Sequence, residues 1–168
     1  MKKFVAAVFF SIVVFASEGE SSLSFVKILR GKMSISGSAG GGYATQGIGF
    51  FGSSELGGQY YLLNKFALGV DLSLAYTTGG DRFYGLAGPS LLYHFWNGER
   101  VSFYTKLSLL ADMGQPLKNN MVRTEVGMDY SLSKVLSVGP YLRVTNHFQE
   151  GTGMFTTANV GGRMTLHF

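Results

Sequence analysis

The last fifteen residues of the chain, 154–168, alternate in polarity. One set is apolar or small: Met154, Thr156, Ala158, Val160, Gly162, Met164, Leu166 and Phe168. The set between them is mostly polar: Thr157, Asn159, Gly161, Arg163, Thr165 and His167. A period of two predicts a β-strand with one apolar face. The stretch is also long enough for a tilted strand to cross a bilayer, which takes roughly 9 to 11 residues.

The same alternation recurs upstream and predicts seven further strands, within residues 33–39, 48–62, 68–77, 83–95, 101–109, 122–132 and 136–145. Short turns are expected at 64–65 and 133–134, a hairpin at Asn97-Gly98, and longer loops at 40–47 and 112–120. An even count with alternating short and longer connections is typical of an all-β, eight-stranded antiparallel barrel built as an up-and-down meander. Both ends of the chain should then lie on the same, periplasmic side.

The distribution of charge decides between a soluble and a transmembrane barrel. A soluble eight-stranded barrel keeps its apolar face inside and covers its surface with charges. Here only 14% of residues are charged, and none falls on the broad apolar face. The other face is rich in Gly, Ser and Thr, which suits a narrow lumen. The sequence therefore predicts a transmembrane barrel with its apolar face toward lipid.

The N-terminal residues have a different composition. Residues 1–16 have a charged start at Lys2 and Lys3, an apolar run and small residues at the end, as in a cleaved signal peptide. Residues 17–32 are expected to form a loosely ordered periplasmic arm, and 33–168 the barrel domain. The chain has no cysteine, so neither disulfides nor a lipid-anchored cysteine are expected.

The alternating terminal strand that stops on Phe168 resembles the closing strand of bacterial outer-membrane β-barrels, and the eight-strand layout resembles the small OmpA/OmpX-type group. The resemblance implies an integral protein of the cell outer membrane. Its expected partners are outer-membrane lipid and lipopolysaccharide, and it is expected to be a monomer. The resemblance also implies that Met164, Leu166 and Phe168 belong to a signal that the barrel-assembly machinery reads.

Two prolines interrupt predicted strands. Pro89 and Pro140 each lack the N–H that a barrel ladder needs, and each follows a glycine. A bulge or a local break is therefore expected near Gly88 and Gly139. The facing of the strand around Pro89 has two possible phases, of which the one with Pro89 outward is preferred.

Eight charged residues fall on the inward face, four of each sign: Glu55, Asp71, Glu125, Asp129, Lys106, Arg123, Arg143 and Arg163. Buried charges need partners, and an eight-stranded barrel has room inside only for side chains. The preferred interpretation is a network that fills the lumen. An ion or water path gated by the same groups is the alternative.

An enzymatic alternative rests on residues near the end of the seventh strand. PagL-like lipid A deacylases carry a His, a nearby Ser and a Glu there, and this chain has Thr145, His147 and Glu150. The position of the family's Ser is taken by Gln149, and Thr145 is a poor substitute. A polar external loop is the preferred interpretation.

Other ligand classes have little support in the sequence. His94 and His167 lack partners at ligand spacing, so no metal and no cofactor is expected. The formal charge of +4 falls to +2 when Lys2 and Lys3 leave with the signal peptide, and the cations are scattered, so nucleic acid is not expected as a partner. The sequence thus favours a non-catalytic outer-membrane barrel with a structural or surface role, with a deacylase or a narrow channel as alternatives.

Overall fold

A computed structural model describes residues 30–44, 49–78, 82–114, 116, 119–149 and 153–168. Eight strands make up a closed antiparallel barrel in which each strand pairs with the next and β1 pairs with β8. Their bounds are β1 Met33–Ala44, β2 Gly49–Leu63, β3 Phe66–Thr77, β4 Arg82–Asn97, β5 Val101–Asp112, β6 Asn119–Ser131, β7 Leu136–Gln149 and β8 Gly153–His167. The predicted fold class, strand number and up-and-down order are confirmed.

The two ends of the barrel differ in what they carry. We call the base the end where β1 begins and β8 ends, closed by hydrogen bonds of 2.8 and 3.2 Å between Met33 and Phe168. The segments joining strands at the base are 64–65, 98–100 and 132–135, and the opposite end, where β1 ends and β2 begins, is called the top. The start and end of the barrel therefore lie at the same end, as predicted.

The segment before β1 is attached to the base. The Gly31 N–H donates to the Tyr61 carbonyl at 2.8 Å, and the Arg30 N–H donates to the Asn64 side-chain oxygen at 2.9 Å. The predicted signal peptide and all of the predicted arm before residue 30 lie outside the described residues. Within the described part of the chain, no helix is long and apolar enough to span a membrane.

Alternation separates an apolar exterior from a polar interior. Outward residues such as Leu72, Leu142 and Val160 are 48%, 55% and 63% exposed. Among strand residues whose side chains the structure describes, none of the outward ones is charged. An exposed apolar surface that encircles a barrel is stable in hydrocarbon and prone to aggregate in water. The predicted facing of the strands holds except next to the turn at 132–135, and in β4 Pro89 points outward.

Two predicted loops are wrong, because the strands extend farther than their polarity suggests. Residues predicted as a loop from position 40 continue β1 to Ala44, and β5 and β6 leave only 113–118 of the loop predicted at 112–120. Gly42 explains the first error: a Cβ built on it would overlap the Ala158 carbonyl oxygen of β8, so glycine is what allows this close strand pairing.

Two residues near the turn at 132–135 also depart from the predicted pattern. Leu132 lies in the turn instead of β6, and its N–H donates to the Leu136 carbonyl at 2.9 Å. Leu136 is 1% exposed although it was predicted to face lipid. Leu136 is the first residue after the turn, a position at which an alternation pattern does not predict burial.

The two Gly-Pro steps break the ladder without shifting it. Gly88 and Pro89 have no ladder partners in β5, and Gly139 and Pro140 have none in β6, yet the pairs on either side keep the same register. On their other sides Pro89 pairs with Val70 and Pro140 pairs with Gly162. The predicted local breaks are therefore present, whereas the register shifts lie elsewhere, at 61–63 and 94–96.

We expect Gly139→Ala to destabilise the barrel by about 1–3 kcal/mol, because the added Cβ would overlap the Met128 carbonyl oxygen and force the strands apart. Gly37→Ala is the matched control, since a Cβ at Gly37 meets nothing within 4 Å. Urea unfolding of the two variants in lipid vesicles measures the difference. Equal unfolding midpoints would contradict the close approach at Gly139.

Candidate functional site: the barrel lumen

The inward side chains form three layers. Near the top lies an apolar cluster of Phe51, Ala75, Leu86, Leu110 and Met121. Near the base lies a second cluster of Tyr61, Ala67, Leu92 and Tyr104. Between them lie most of the charged residues, all of them nearly inaccessible to solvent. Near the top and near the base, the lumen is thus more apolar than the abundance of Gly, Ser and Thr on the inward face suggests.

Glu55 on β2 is the central acceptor of the middle layer. Its carboxylate forms ion pairs with Lys106 of β5 and Arg123 of β6. A third cation, Arg143 from β7, lies 3.4 Å from the same carboxylate. One carboxylate therefore connects side chains from four strands. These residues are too far apart in sequence for a local pattern to predict that they pair.

Glu125 on β6 is the second acceptor. It pairs with Arg143, and its other oxygen lies 3.5 Å from the Arg163 Nη1 atom. The Tyr104 hydroxyl donates to Glu125 at 2.8 Å. The Arg163 guanidinium also lies over the Tyr104 ring, 4.5 Å from its centroid, in a geometry that favours a cation–π contact.

Asp71 completes the layer through Lys106, whose Nζ atom is 3.1 Å away. The Ser108 hydroxyl donates to Asp71 at 2.6 Å. We call the connected set the ionic network; its members are Glu55, Asp71, Lys106, Arg123, Glu125, Arg143 and Arg163. Of the eight inward charges considered from the sequence, the structure leaves Asp129 outside this network.

Inward glycines leave room for the large groups of the network. A Cβ at Gly127 would overlap the Tyr104 hydroxyl, and one at Gly57 would lie 2.7 Å from an Asp71 oxygen. These two glycines therefore make space for the inward side chains of their direct partners on the neighbouring strands, Tyr104 and Asp71. Sequence reasoning placed Tyr104 and Ser108 inward but gave them no role, because their partners lie on other strands.

The residues of the enzymatic alternative have other partners. The His147 Nε2 atom is 3.1 Å from the Thr157 hydroxyl, and the Phe155 ring stacks on the imidazole with centroids 4.2 Å apart. The Thr145 hydroxyl accepts a hydrogen bond of 3.3 Å from Arg123. Glu150 lies outside the described residues. The structure thus shows Thr145 and His147 engaged with different groups instead of with each other.

The other two histidines lie near the base and contact hydroxyl groups. The His94 ring is 3.2 Å from both the Tyr61 and the Ser102 hydroxyls. The His167 Nε2 atom is 3.1 Å from the Ser137 hydroxyl. Within the described ranges, no group of three or more His, Asp or Glu side chains is arranged to hold a metal ion.

The residues of the expected assembly signal lie on the outside of β8. Met164 pairs with Gly37 of β1, Leu166 pairs with Ile35, and Phe168 is 61% exposed at the base. Their role as a signal stays a prediction.

A closed barrel with an apolar exterior and a charged, self-paired interior defines a transmembrane β-barrel. The chain has the fold of the small eight-stranded outer-membrane β-barrels. Neisserial surface protein A is 14% identical, with 83% of this chain and 100% of that chain covered and a TM-score of 0.63. The N-terminal β-barrel domain of Pseudomonas aeruginosa OprF is 11% identical, with 83% and 98% covered and a TM-score of 0.55.

A designed transmembrane β-barrel is similar at 13% identity, with 85% of this chain and 100% of that chain covered and a TM-score of 0.50. No protein-family model matches the sequence, and no curated protein matches it either. The structural similarity establishes the fold. Because the sequence identities are low, the similarity does not establish the function, which has to be argued from the lumen.

We expect Glu55→Gln to destabilise the folded barrel by about 3–5 kcal/mol, because it leaves buried cations without their shared carboxylate. Asp71→Asn is the matched control: it is equally buried, but its carboxylate contacts only Lys106 among the cations of the described residues. Urea unfolding in lipid vesicles should show that the Glu55→Gln variant is less stable than the Asp71→Asn variant. The reverse ranking would show that Glu55 is not the central acceptor.

Proposed function

We propose that this protein is a non-catalytic, closed barrel of the outer membrane, with a structural or surface role in the Gram-negative envelope. The observation that carries the proposal is the ionic network, which joins side chains of β2, β3, β5, β6, β7 and β8 across the lumen. A pore for ions needs a continuous hydrated path, whereas here seven of the eight inward charged groups pair with one another. Their pairing supports a filled lumen that stiffens the wall.

The apolar cluster at the top supports the same interpretation. Phe51, Leu86 and Leu110 are each at most 2% exposed, and they lie between the ionic network and the top of the barrel. An apolar layer across a narrow lumen opposes hydration and so opposes the passage of ions. The alternative of a narrow channel is therefore disfavoured by two successive barriers, one ionic and one apolar.

The exterior supports a location within an outer membrane. Aromatic pairs lie toward the ends of strands: Tyr76 and Phe83 near the top, with centroids 4.8 Å apart, and Trp96 and Phe103 near the base at 5.5 Å. Such rings favour the interfaces of a bilayer. In this proposal residues 1–16 direct export and are removed, and the base faces the periplasm.

The proposed partners follow from that placement. Lipid contacts the apolar belt, lipopolysaccharide contacts the top, and the barrel-assembly machinery binds the strand that ends at Phe168. The protein is proposed to act as a monomer, because closure of the barrel leaves no strand edge to pair with a second chain.

Catalysis on lipid A has less support than a structural role. A hydrolytic triad needs a nucleophile hydrogen-bonded to its base, and the His147 contact is to Thr157 while Thr145 accepts from Arg123. We expect purified, detergent-folded protein to leave lipid A unchanged in mass after incubation, as measured by mass spectrometry. Loss of one acyl chain, abolished by His147→Ala, would establish the deacylase instead.

We expect the wild-type protein to give no discrete conductance steps in planar bilayers, because the ionic network and the apolar cluster both cross the lumen. Leu72→Ala, on the lipid-facing surface, is the control for altered insertion. Steps in the wild-type protein that change with Asp71→Ala or Arg163→Ala would identify a channel and refute the closed lumen.

Membrane fractionation of cells producing the full chain should recover the protein with the outer membrane. On a gel, unboiled protein should migrate differently from boiled protein, because a folded barrel resists detergent until heated. Recovery in the periplasm without detergent would overturn the membrane assignment.

A further inference from the structure

The hairpin formed by β5 and β6 has a continuous backbone ladder of its own. Its strands are paired without interruption from the base up to Ala111 and Asn120. Both connections of the hairpin to the neighbouring strands lie at the base, at 98–100 and 132–135. The hairpin is therefore one unit, and it is held in the wall by its two outer edges and by its side chains.

Each outer edge of this hairpin is interrupted by one of the Gly-Pro steps. On the β4 side, the register places Pro89 opposite Leu109, and proline has no N–H to donate to the Leu109 carbonyl. On the β7 side, the register places Pro140 opposite Met128 in the same way. A backbone carbonyl without a donor is costly within hydrocarbon. Both prolines that lie in strands thus weaken the edges of the same hairpin.

The glycine before each proline keeps the strands in contact at these steps. A Cβ built on Gly88 would overlap the Leu109 carbonyl oxygen, and one built on Gly139 would overlap the Met128 carbonyl oxygen. The contact is therefore made by the glycine Cα. A Cα–H group is a weaker donor than an N–H group, so the close approach replaces only part of the missing hydrogen bond.

The ionic network holds this same hairpin from inside the lumen. Of the six ion pairs among the described residues, five join a side chain of the hairpin to a strand outside it: Lys106–Glu55, Lys106–Asp71, Arg123–Glu55, Glu125–Arg143 and Glu125–Arg163. The partner strands are β2, β3, β7 and β8. The Ser108 hydroxyl of β5 adds a hydrogen bond to Asp71 at 2.6 Å. Side-chain contacts are thus concentrated on the section of wall whose backbone edges are interrupted.

We propose that the ionic network holds the β5–β6 hairpin in the barrel wall, and that this hairpin is the first section to separate from β4 and β7 when the network is broken. The network then compensates for the two hydrogen bonds that the prolines remove. This goes beyond the proposed function, because a filled lumen that stiffens the wall does not specify which section of the wall depends on it.

Hydrogen exchange of the folded protein in detergent micelles, measured by mass spectrometry of its peptides, tests the proposal. Glu55→Gln lies on β2 but removes the shared acceptor of Lys106 and Arg123. We expect exchange in β5 and β6 to become several-fold faster, with little change in β1 and β2, because local opening follows the weakest edges. Faster exchange mainly in β2, where the substitution lies, or equally in all strands, would overturn the proposal.

Gly42→Ala is the matched control for a general loss of stability. Its Cβ would overlap the Ala158 carbonyl oxygen and disturb the β1–β8 ladder, and Gly42 belongs to no ion pair. We expect it to speed exchange in β1 and β8 without singling out the hairpin. Selective exchange of the hairpin in this variant would show that the hairpin opens whether or not the network is intact, which contradicts the proposal. If Glu55→Gln fails the heat-modifiability test, Asp71→Asn replaces it, since Asp71 contacts two side chains of β5.

The role of the interrupted edges is tested by restoring their donors. Pro89→Ala together with Pro140→Ala supplies the two missing N–H groups. In this background, Glu55→Gln should accelerate exchange of the hairpin by a much smaller factor than it does in the wild-type protein. An unchanged factor would refute the role of the Gly-Pro steps.

A cross-link gives a second, independent measurement. Ala87 of β4 pairs with Ala111 of β5 just above the interruption, and the chain has no cysteine of its own. A disulfide between Ala87→Cys and Ala111→Cys should therefore suppress the acceleration caused by Glu55→Gln, and reduction of the disulfide should restore it. Acceleration of the same size with the disulfide intact would show that the hairpin does not separate from β4.

Discussion

Pairing of every strand with two neighbours is the constraint on which the rest of the structure depends. In hydrocarbon an unpaired N–H or C=O costs several kcal/mol, so a transmembrane sheet must close on itself. Here closure is made by β1 and β8, in register from Ser34 and His167 at the base to Ala44 and Thr157 near the top. The two Gly-Pro steps are tolerated because each disturbs one ladder and leaves the other intact.

Closure divides the side chains between two environments. The outer set faces lipid, which accepts apolar groups and rejects charges. The inner set is enclosed in a space that eight strands make only as wide as a few side chains. A charged residue is therefore confined to the inner set, and there it must find an opposite charge on another wall. Glu55 meets this requirement for cations from three strands at once.

The enclosed layer also explains why so many inward residues are small. Long side chains such as Arg143 extend into the lumen and reach serines on other strands, Ser38 of β1 and Ser53 of β2. The Arg143 Nη2 atom donates to the Ser38 hydroxyl of β1 at 3.1 Å, far from it in sequence. Small and charged residues are thus two parts of one packing arrangement, in which substitution of either kind disturbs the other.

The sequence by itself determined the strands, their facing and the confinement of charge to the interior, because each of these follows from a period of two that is local in the chain. It misjudged where strands end: Gly42 looks like a loop residue, and only the neighbouring β8 backbone shows why a glycine belongs in a strand there. Leu136 was misjudged as well, because a period of two does not predict burial at the first residue after a turn. The tertiary structure alone decided which charges meet. Glu55 and Arg123 are far apart in sequence and lie on strands that are not neighbours. Their contact depends on closure of the barrel and on the length of the two side chains. The alternation of residues along a strand does not specify which side chains meet as a result.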